Sequence, residues 1–90
     1  MKFEWDPIKA DANEIKHGVR FDEASTVFGD ELSISGSDLA NSVGEHRFVT
    51  FGLSNQGRVL AVSHTDRGAV VRIISARLAT RKEKRIYEEG

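Results

Sequence analysis

Apolar positions along this chain switch between the two-residue repeat of strands and the longer repeat of helices. Phe3 and Trp5 alternate with charged neighbours over KFEW, the pattern of a short half-buried strand. Asp6-Pro7 then supplies an N-cap followed by proline at the first helical position, where the missing N–H costs nothing. The helix it opens should run to Lys16 or His17, with Gly18 as a left-handed terminator. FDEASTVF places Phe21, Ala24, Val27 and Phe28 on one face and predicts a second helix closed by Gly29. Residues 30–45 lose this periodicity, are rich in Ser, Gly and Asp, and read as a loop with a short edge strand at Leu32–Ile34. Three strand-like runs follow, HRFVTFGL, RVLAVSHT and AVVRIISA, joined by Ser54-Asn55-Gln56-Gly57 and by Asp66-Arg67-Gly68. Tight glycine-bearing connections between β-branched runs predict an antiparallel meander. Thr80-x-x-Glu83 is a capping box and starts a last helix.

The resulting order, β-α-α-(β)-β-β-β-α, describes a single α+β domain over residues 1–90. Its antiparallel sheet is the N-terminal strand plus the C-terminal three-strand meander, covered by the two N-terminal helices, with a short C-terminal helix after it. In the strand 58–65, Arg58, Leu60, Val62 and His64 share one face, and Val59, Ala61 and Ser63 the other. In the strand 69–76, Val71, Ile73 and Ser75 share a face that Arg77 joins if the strand continues. Arg72 lies opposite, between Val70 and Ile74, where a snorkelling arginine is the plain reading.

Composition removes whole classes of chemistry. The chain has no cysteine, so it has no disulfide, no thiolate metal site and no Cys nucleophile, in keeping with a cytoplasmic setting. The N-terminal MKFEWDP lacks the apolar segment of a signal peptide, and no apolar run approaches a membrane span, so no membrane association is expected. Net charge is −1, but residues 1–57 hold five Lys/Arg and ten Asp/Glu (−5), whereas residues 58–90 hold eight and four (+4). Such an asymmetry fits either a polyanionic partner or two halves that pair with each other.

Arg58, Arg67, Arg72, Arg77, Arg81 and Arg85 crowd the second part of the chain, and guanidinium matches phosphate in a bidentate way without ever losing its proton. The last helix carries Arg81 and Lys82 in its first turn and Glu88 and Glu89 in its last, each against the helix dipole. Either these cations are placed to meet phosphate at the helix N-terminus, or Glu83 and its neighbours screen them. His64 ends a strand and is a candidate general acid or base, with a purely structural histidine as the other reading. His17 suits the end of a helix, His46 opens a strand, and the three histidines match no metal motif. Tyr87 either packs at the sheet edge or stacks on a base.

Taken in order, FEWD at 3–6, KHGVRF at 16–21, GEHRFVTFG at 44–52, GRVLAVSHTDRG at 57–68 and RIISARLATRKEKRIYEEG at 72–90 make a chain that resembles the BrnT family, the toxin half of a bacterial type II toxin–antitoxin pair. The resemblance implies a RelE-like fold and metal-independent cleavage of mRNA that arrests translation, with no cofactor. It also implies a BrnA-type antitoxin with a ribbon-helix-helix DNA-binding part, through which alone the pair reaches operator DNA and represses its own operon. The family's basic positions fall on Arg58, Arg67, Arg72, Arg77, Arg81 and Arg85, with His64 in SHT and Tyr87 in IYEE. Two positions depart from the family pattern. Ala69-Val70 stand where an acidic and often a basic residue is usual, and Arg20 stands where a helix-capping serine is common.

The implied reaction is attack of the ribose 2′-OH on its own 3′-phosphate, leaving a cyclic phosphate and a free 5′-OH. It needs proton transfer and cations around the phosphorane. The expected catalytic set is Arg58, His64, Arg77, Arg81 and Tyr87. His64 would transfer protons, the arginines would hold the phosphate, and Tyr87 would stack or position. Arg67, Arg72, Lys82 and Arg85 would guide the RNA backbone, and no metal is expected. A non-catalytic RNA- or antitoxin-binding module is the alternative.

Overall fold

The computed structural model describes residues 1–90 in full. Strand β1 (Lys2–Glu4) gives way to helix α1 (Pro7–His17) at Asp6, whose Oδ1 accepts from the Ile8 N–H at 2.9 Å. Gly18 closes the helix at φ 69° and donates its N–H to Glu14 O at 2.8 Å, the left-handed cap that a residue with a Cβ adopts only at a cost. Helix α2 (Phe21–Ser25) is shorter than its apolar pattern suggests, and a 3₁₀ turn over Thr26–Gly29 replaces its last part. The cause is local. The Ser25 and Thr26 hydroxyls donate back to the carbonyls of Asp22 and Glu23 at 2.7 and 2.6 Å, and such back-bonding favours the tighter winding.

Strands β2 (Ile34–Ser37), β3 (Phe48–Leu53), β4 (Val59–Arg67) and β5 (Val70–Leu78) precede helix α3 (Arg81–Glu89). The edge strand therefore lies two to three residues beyond the expected Leu32–Ile34, because Asp30 Oδ1 holds the Leu32 N–H in a turn at 3.0 Å. One sheet contains all five strands in the order β1-β5-β4-β3-β2. Strands β2 to β5 are antiparallel neighbours, as the meander predicts, but β1 pairs with β5 in parallel, with Phe3 opposite Val71. The expectation of a wholly antiparallel sheet is corrected to a mixed one. Two α-helices and three strands separate β1 from β5, so no hairpin forces them to run in opposite directions.

The ladder between β4 and β5 slips by one residue. Ser63 faces Ser75 and His64 faces Ile73, so Ile74 is an extra residue on β5. The bulge inverts the side-chain parity beyond it. Val71, Ile73 and Ala76 all point to the helix-covered face and are buried, and Arg77, opposite Ala61, points to the other face. Arg77 thus does not share a face with Val71 and Ile73, as unbroken alternation would require.

The core lies between the helices and this covered face: Val19, Phe21, Ala24 and Val27 against Leu60, Val62, Ile73 and Ala76, with Phe3, Trp5, Ala10 and Phe28 around them. Strand β1 ends opposite Arg72, and further along β5 a side chain takes its place. Buried Asn13 of α1 donates to Ala76 O at 2.8 Å and to Val19 O at 2.9 Å, and accepts from the Ala76 N–H at 3.1 Å. No helix of the chain is long and apolar enough to cross a membrane.

Candidate nucleic-acid interface

Strand alternation sorts the basic side chains onto two sides of the sheet. Opposite the helix-covered face, β4 presents Ser63, Thr65 and Arg67, and β5 presents Arg72, Ser75 and Arg77. Helix α3 lies against β3 and is tied at both ends. Arg77 donates to Glu83 through Nη1 at 2.6 Å and Nη2 at 3.0 Å, and the Tyr87 hydroxyl donates to Asp30 Oδ2 at 2.6 Å.

Each of these three strand arginines has a carboxylate. Arg67 grips Glu45 in a bidentate pair at 2.9 and 3.1 Å, Arg72 donates to Glu4 at 3.1 Å, and Arg77 holds Glu83. Glu83 also completes the capping box: its Oε1 accepts the Thr80 N–H at 2.9 Å, and the Thr80 hydroxyl accepts the Glu83 N–H at 3.2 Å. Hydrogen bonding from Arg77, before the Thr80 N–H, brings the Glu83 carboxyl down to about 2. The same bond raises Arg77 above the usual guanidinium range. Arg81, Lys82, Lys84 and Arg85 are different: all are exposed, and none has a carboxylate within ion-pair distance. Glu83 therefore neutralises Arg77 of the sheet and leaves the two cations of the first helical turn unpaired.

Arg58 and His64 lie on the covered side, as their parity predicts, but they do not meet. They are six residues apart in sequence, about 20 Å along an extended strand. The Arg58 guanidinium spans both oxygens of Glu23 and reaches Gly18 O at 3.3 Å, while the Ser54 hydroxyl donates to Glu23 Oε2 at 2.7 Å. Glu23 is 4% exposed, and the Arg58 hydrogen bond holds its carboxyl below the usual range. Arg58 is thus engaged in joining α2 to the β3–β4 turn.

His64, 3% exposed, has both ring nitrogens engaged: Nε2 with the Thr50 hydroxyl at 2.7 Å and Nδ1 with Asp66 at 2.8 Å. Phe28 meets its ring edge-on with centroids 4.9 Å apart, and Phe48 stacks on it at 5.7 Å. The Tyr87 hydroxyl is not free, and the ring is half-buried. Its bond to Asp30 raises the phenol above its ordinary range and lowers the Asp30 carboxyl, which also accepts the Leu53 N–H at 2.8 Å.

The open face accordingly gathers Arg67, Arg72 and Arg77 and omits Arg58 and His64, while Arg81, Lys82 and Arg85 are exposed on α3, whose Glu83 and Tyr87 are the residues bonded to the rest of the protein. Sequence reasoning passed over three residues of this region: Arg47, Glu45 and Thr65. Strand parity could have flagged Thr65, whereas the meeting of Glu45 with Arg67 is a contact across 22 residues that no local pattern announces. No group of three or more His, Asp and Glu residues is gathered closely enough to hold a metal ion. In chemical terms the face is a row of guanidiniums flanked by hydroxyls, suited to a polyanion.

Comparison with known proteins adds two likenesses. Residues 5–83 match the family described as "Ribonuclease toxin, BrnT, of type II toxin-antitoxin system". The crystal structure of the Brucella abortus ribonuclease toxin, BrnT, is similar with a TM-score of 0.64 at 24% sequence identity, over 90% of this chain and 99% of that one. At that identity the second likeness speaks for the fold. No curated protein matches the sequence.

Proposed function

Because the chain belongs to the BrnT family of ribonuclease toxins of type II toxin–antitoxin systems, we propose that it is a metal-independent endoribonuclease that cleaves mRNA on the open face of its sheet and so arrests translation. The observation that carries this reading is the convergence of Arg67, Arg72 and Arg77 on that one face. The order of elements and the parallel first strand suit a RelE-like fold, with α1 and α2 on one side and the substrate on the other.

In this reading Arg77 and Arg81, at the junction of β5 and α3, face the scissile phosphate. The 2′-oxygen attacks phosphorus and gives its proton to water, the 5′-oxygen leaves and takes a proton from water, and the charge that builds on the phosphorane is met by the Arg77 guanidinium, held in place by Glu83, and by the exposed Arg81. Such preorganised donors are commonly the largest contribution to catalysis. Arg67, Arg72, Lys82 and Arg85 carry the backbone on either side. In this reading no metal is needed, since arginines supply the positive charge. Tyr87, fastened to Asp30, positions α3. His64 and Arg58 shape the fold beneath the site without touching RNA.

The partner is a BrnA-type antitoxin with a ribbon-helix-helix part, acting in the cytoplasm, and the pair reaches operator DNA through the antitoxin to repress its own operon. An antitoxin that covers the open face would neutralise the toxin. One observation favours the alternative, a non-catalytic RNA- or antitoxin-binding module: the buried His64 imidazole does not stand among the arginines of the open face.

One experiment separates the two. Purified, antitoxin-free protein is incubated with RNA in EDTA beside Arg77→Ala and His64→Ala variants of verified fold. New 5′-OH ends and cyclic phosphates from wild type, lost in Arg77→Ala, establish the ribonuclease. Intact RNA that is nevertheless bound establishes the module.

A further inference from the structure

Thr65 is 1% exposed, and its hydroxyl is the one buried side-chain polar atom of the molecule without a hydrogen-bond partner. Leaving such a group unpaired is destabilising, so its retention asks for a reason. Its surroundings are cationic. On the open face Thr65 stands directly opposite Arg72, and Arg67 follows it two residues later on the same side of β4. Phe48, the first residue of β3, is opposite His64, which brings Arg47 one step further to the level of Thr65. Arg47 has no carboxylate within ion-pair distance.

One anion of the protein itself already sits among these groups. Glu45, in the exposed loop between β2 and β3, fills both arms of the Arg67 fork. Its carboxyl is held below the usual range, by the Arg67 hydrogen bond first and then by the charges of Arg67, Arg72 and Arg47. A carboxylate with two oxygens in a guanidinium fork has the geometry of a phosphate diester with its two free oxygens.

From this arrangement we infer that Arg47, Arg67, Arg72 and the Thr65 hydroxyl form a phosphate subsite for the RNA backbone, and that Glu45 occupies it as an internal counter-ion which substrate displaces. The inference rests on the ribonuclease reading for its ligand and adds to it a competitor, an unpaired arginine and a buried donor. The arriving phosphate takes over the Arg67 fork from Glu45. Arg72 keeps Glu4 or shares it, and the Thr65 hydroxyl gains the acceptor it lacks in the free protein. Binding is thereby weaker than the arginines alone would give, because one carboxylate must leave first.

The test measures affinity for a fluorescent, non-cleavable 2′-O-methyl oligonucleotide by anisotropy over a series of salt concentrations, with thermal unfolding and cleavage of ordinary RNA read separately. Glu45→Gln should tighten binding about two- to fivefold, the range of one exposed ion pair, and steepen the salt dependence. Thr65→Val keeps the side-chain shape and removes the orphan hydroxyl. It should unfold at the same or a higher temperature yet bind about tenfold more weakly, as expected for the loss of a hydrogen bond to a charged group. Unchanged or weaker binding by Glu45→Gln overturns the inference, and so does a Thr65→Val protein that binds like wild type. If both variants behave as expected while no protein cleaves RNA, the subsite stands and the ribonuclease reading falls. If wild type cleaves RNA and neither variant alters binding, the reading stands and the subsite falls.

Discussion

Arg77 and His64 lie on opposite faces of the same sheet, separated by the bulge at Ile74 that turns the end of β5 over. A phosphate held by Arg77 is therefore out of reach of the His64 ring, whose nitrogens are in any case occupied by Thr50 and Asp66. Arg77→Ala should cut single-turnover cleavage by about 10²–10³, the usual effect of removing one transition-state donor. The wild-type rate should show no inflection in the histidine range between about pH 5 and 8. His64→Ala should act on stability, by about 2–4 kcal/mol, through a cavity and two abandoned partners. An inflection in that range that vanishes in a folded His64→Ala variant would return the histidine to the chemistry.

Removing Arg58 should destabilise the protein. Glu23 is buried, and without the guanidinium its charge has only Ser54 for support. Arg58→Ala should cost about 2–4 kcal/mol, somewhat less than a fully buried pair because Arg58 itself is partly exposed. Adding Glu23→Gln should recover part of the loss. Chemical denaturation of the single and double variants gives the coupling directly.

Acid should weaken the junction between β5 and α3. Glu83 titrates at about 2 in the folded protein, and at about 4.3 when the chain is unfolded. A carboxyl whose pKa falls on folding contributes stability that is complete above the unfolded value and is lost as the pH drops toward the folded one. The difference in melting temperature between wild type and Glu83→Gln should be constant near neutrality and shrink from about pH 4.3 down to about pH 2. A difference that does not change over this window would show that the Arg77 pair does not hold the helix.

Gly52 permits a close approach between β3 and the 3₁₀ turn. A Cβ there would stand 3.0 Å from Val27 Cβ, 3.2 Å from Ser33 Cβ and 3.2 Å from Val27 O. Val27 is wholly buried and cannot retreat. Gly52→Ala should therefore cost about 1–3 kcal/mol. For a domain of this size that lowers the melting temperature by roughly 4–8 °C per kcal/mol, measurable by circular dichroism.

Features that depend on a few neighbouring residues were legible in the sequence. Asp6-Pro7, Gly18 and the Thr80–Glu83 box end their helices as written, because a cap is satisfied within one turn. Family membership was legible as well, from the order of short segments. The bulge at Ile74 was not. Alternation of apolar residues on β5 reads equally well with or without it, and only the partner strand shows where the extra residue lies. The direction of β1 was hidden for the same reason. The charge asymmetry held both of its meanings at once. Arg58, Arg67 and Arg72 of the basic half are paired with Glu23, Glu45 and Glu4 of the acidic half, while the cations of α3 are left free. Pairings across 22 to 68 residues are products of the fold and could not be read before it.

The parallel seam between β1 and β5 also sets an order of events during synthesis. Lys2–Glu4 is made before the other four strands, and its partner Val70–Arg72 belongs to the fifth. A contact spanning so much of the chain is slow to close and can form only when nearly every residue is available. Glu4 waits for Arg72, α1 waits for Ala76 to satisfy Asn13, and the arginine face awaits the same strand. A nascent chain stopped before Val70, or a gene truncated there, yields no partial toxin: it lacks the strand that carries Arg72 and Arg77 and the seam that would fix them.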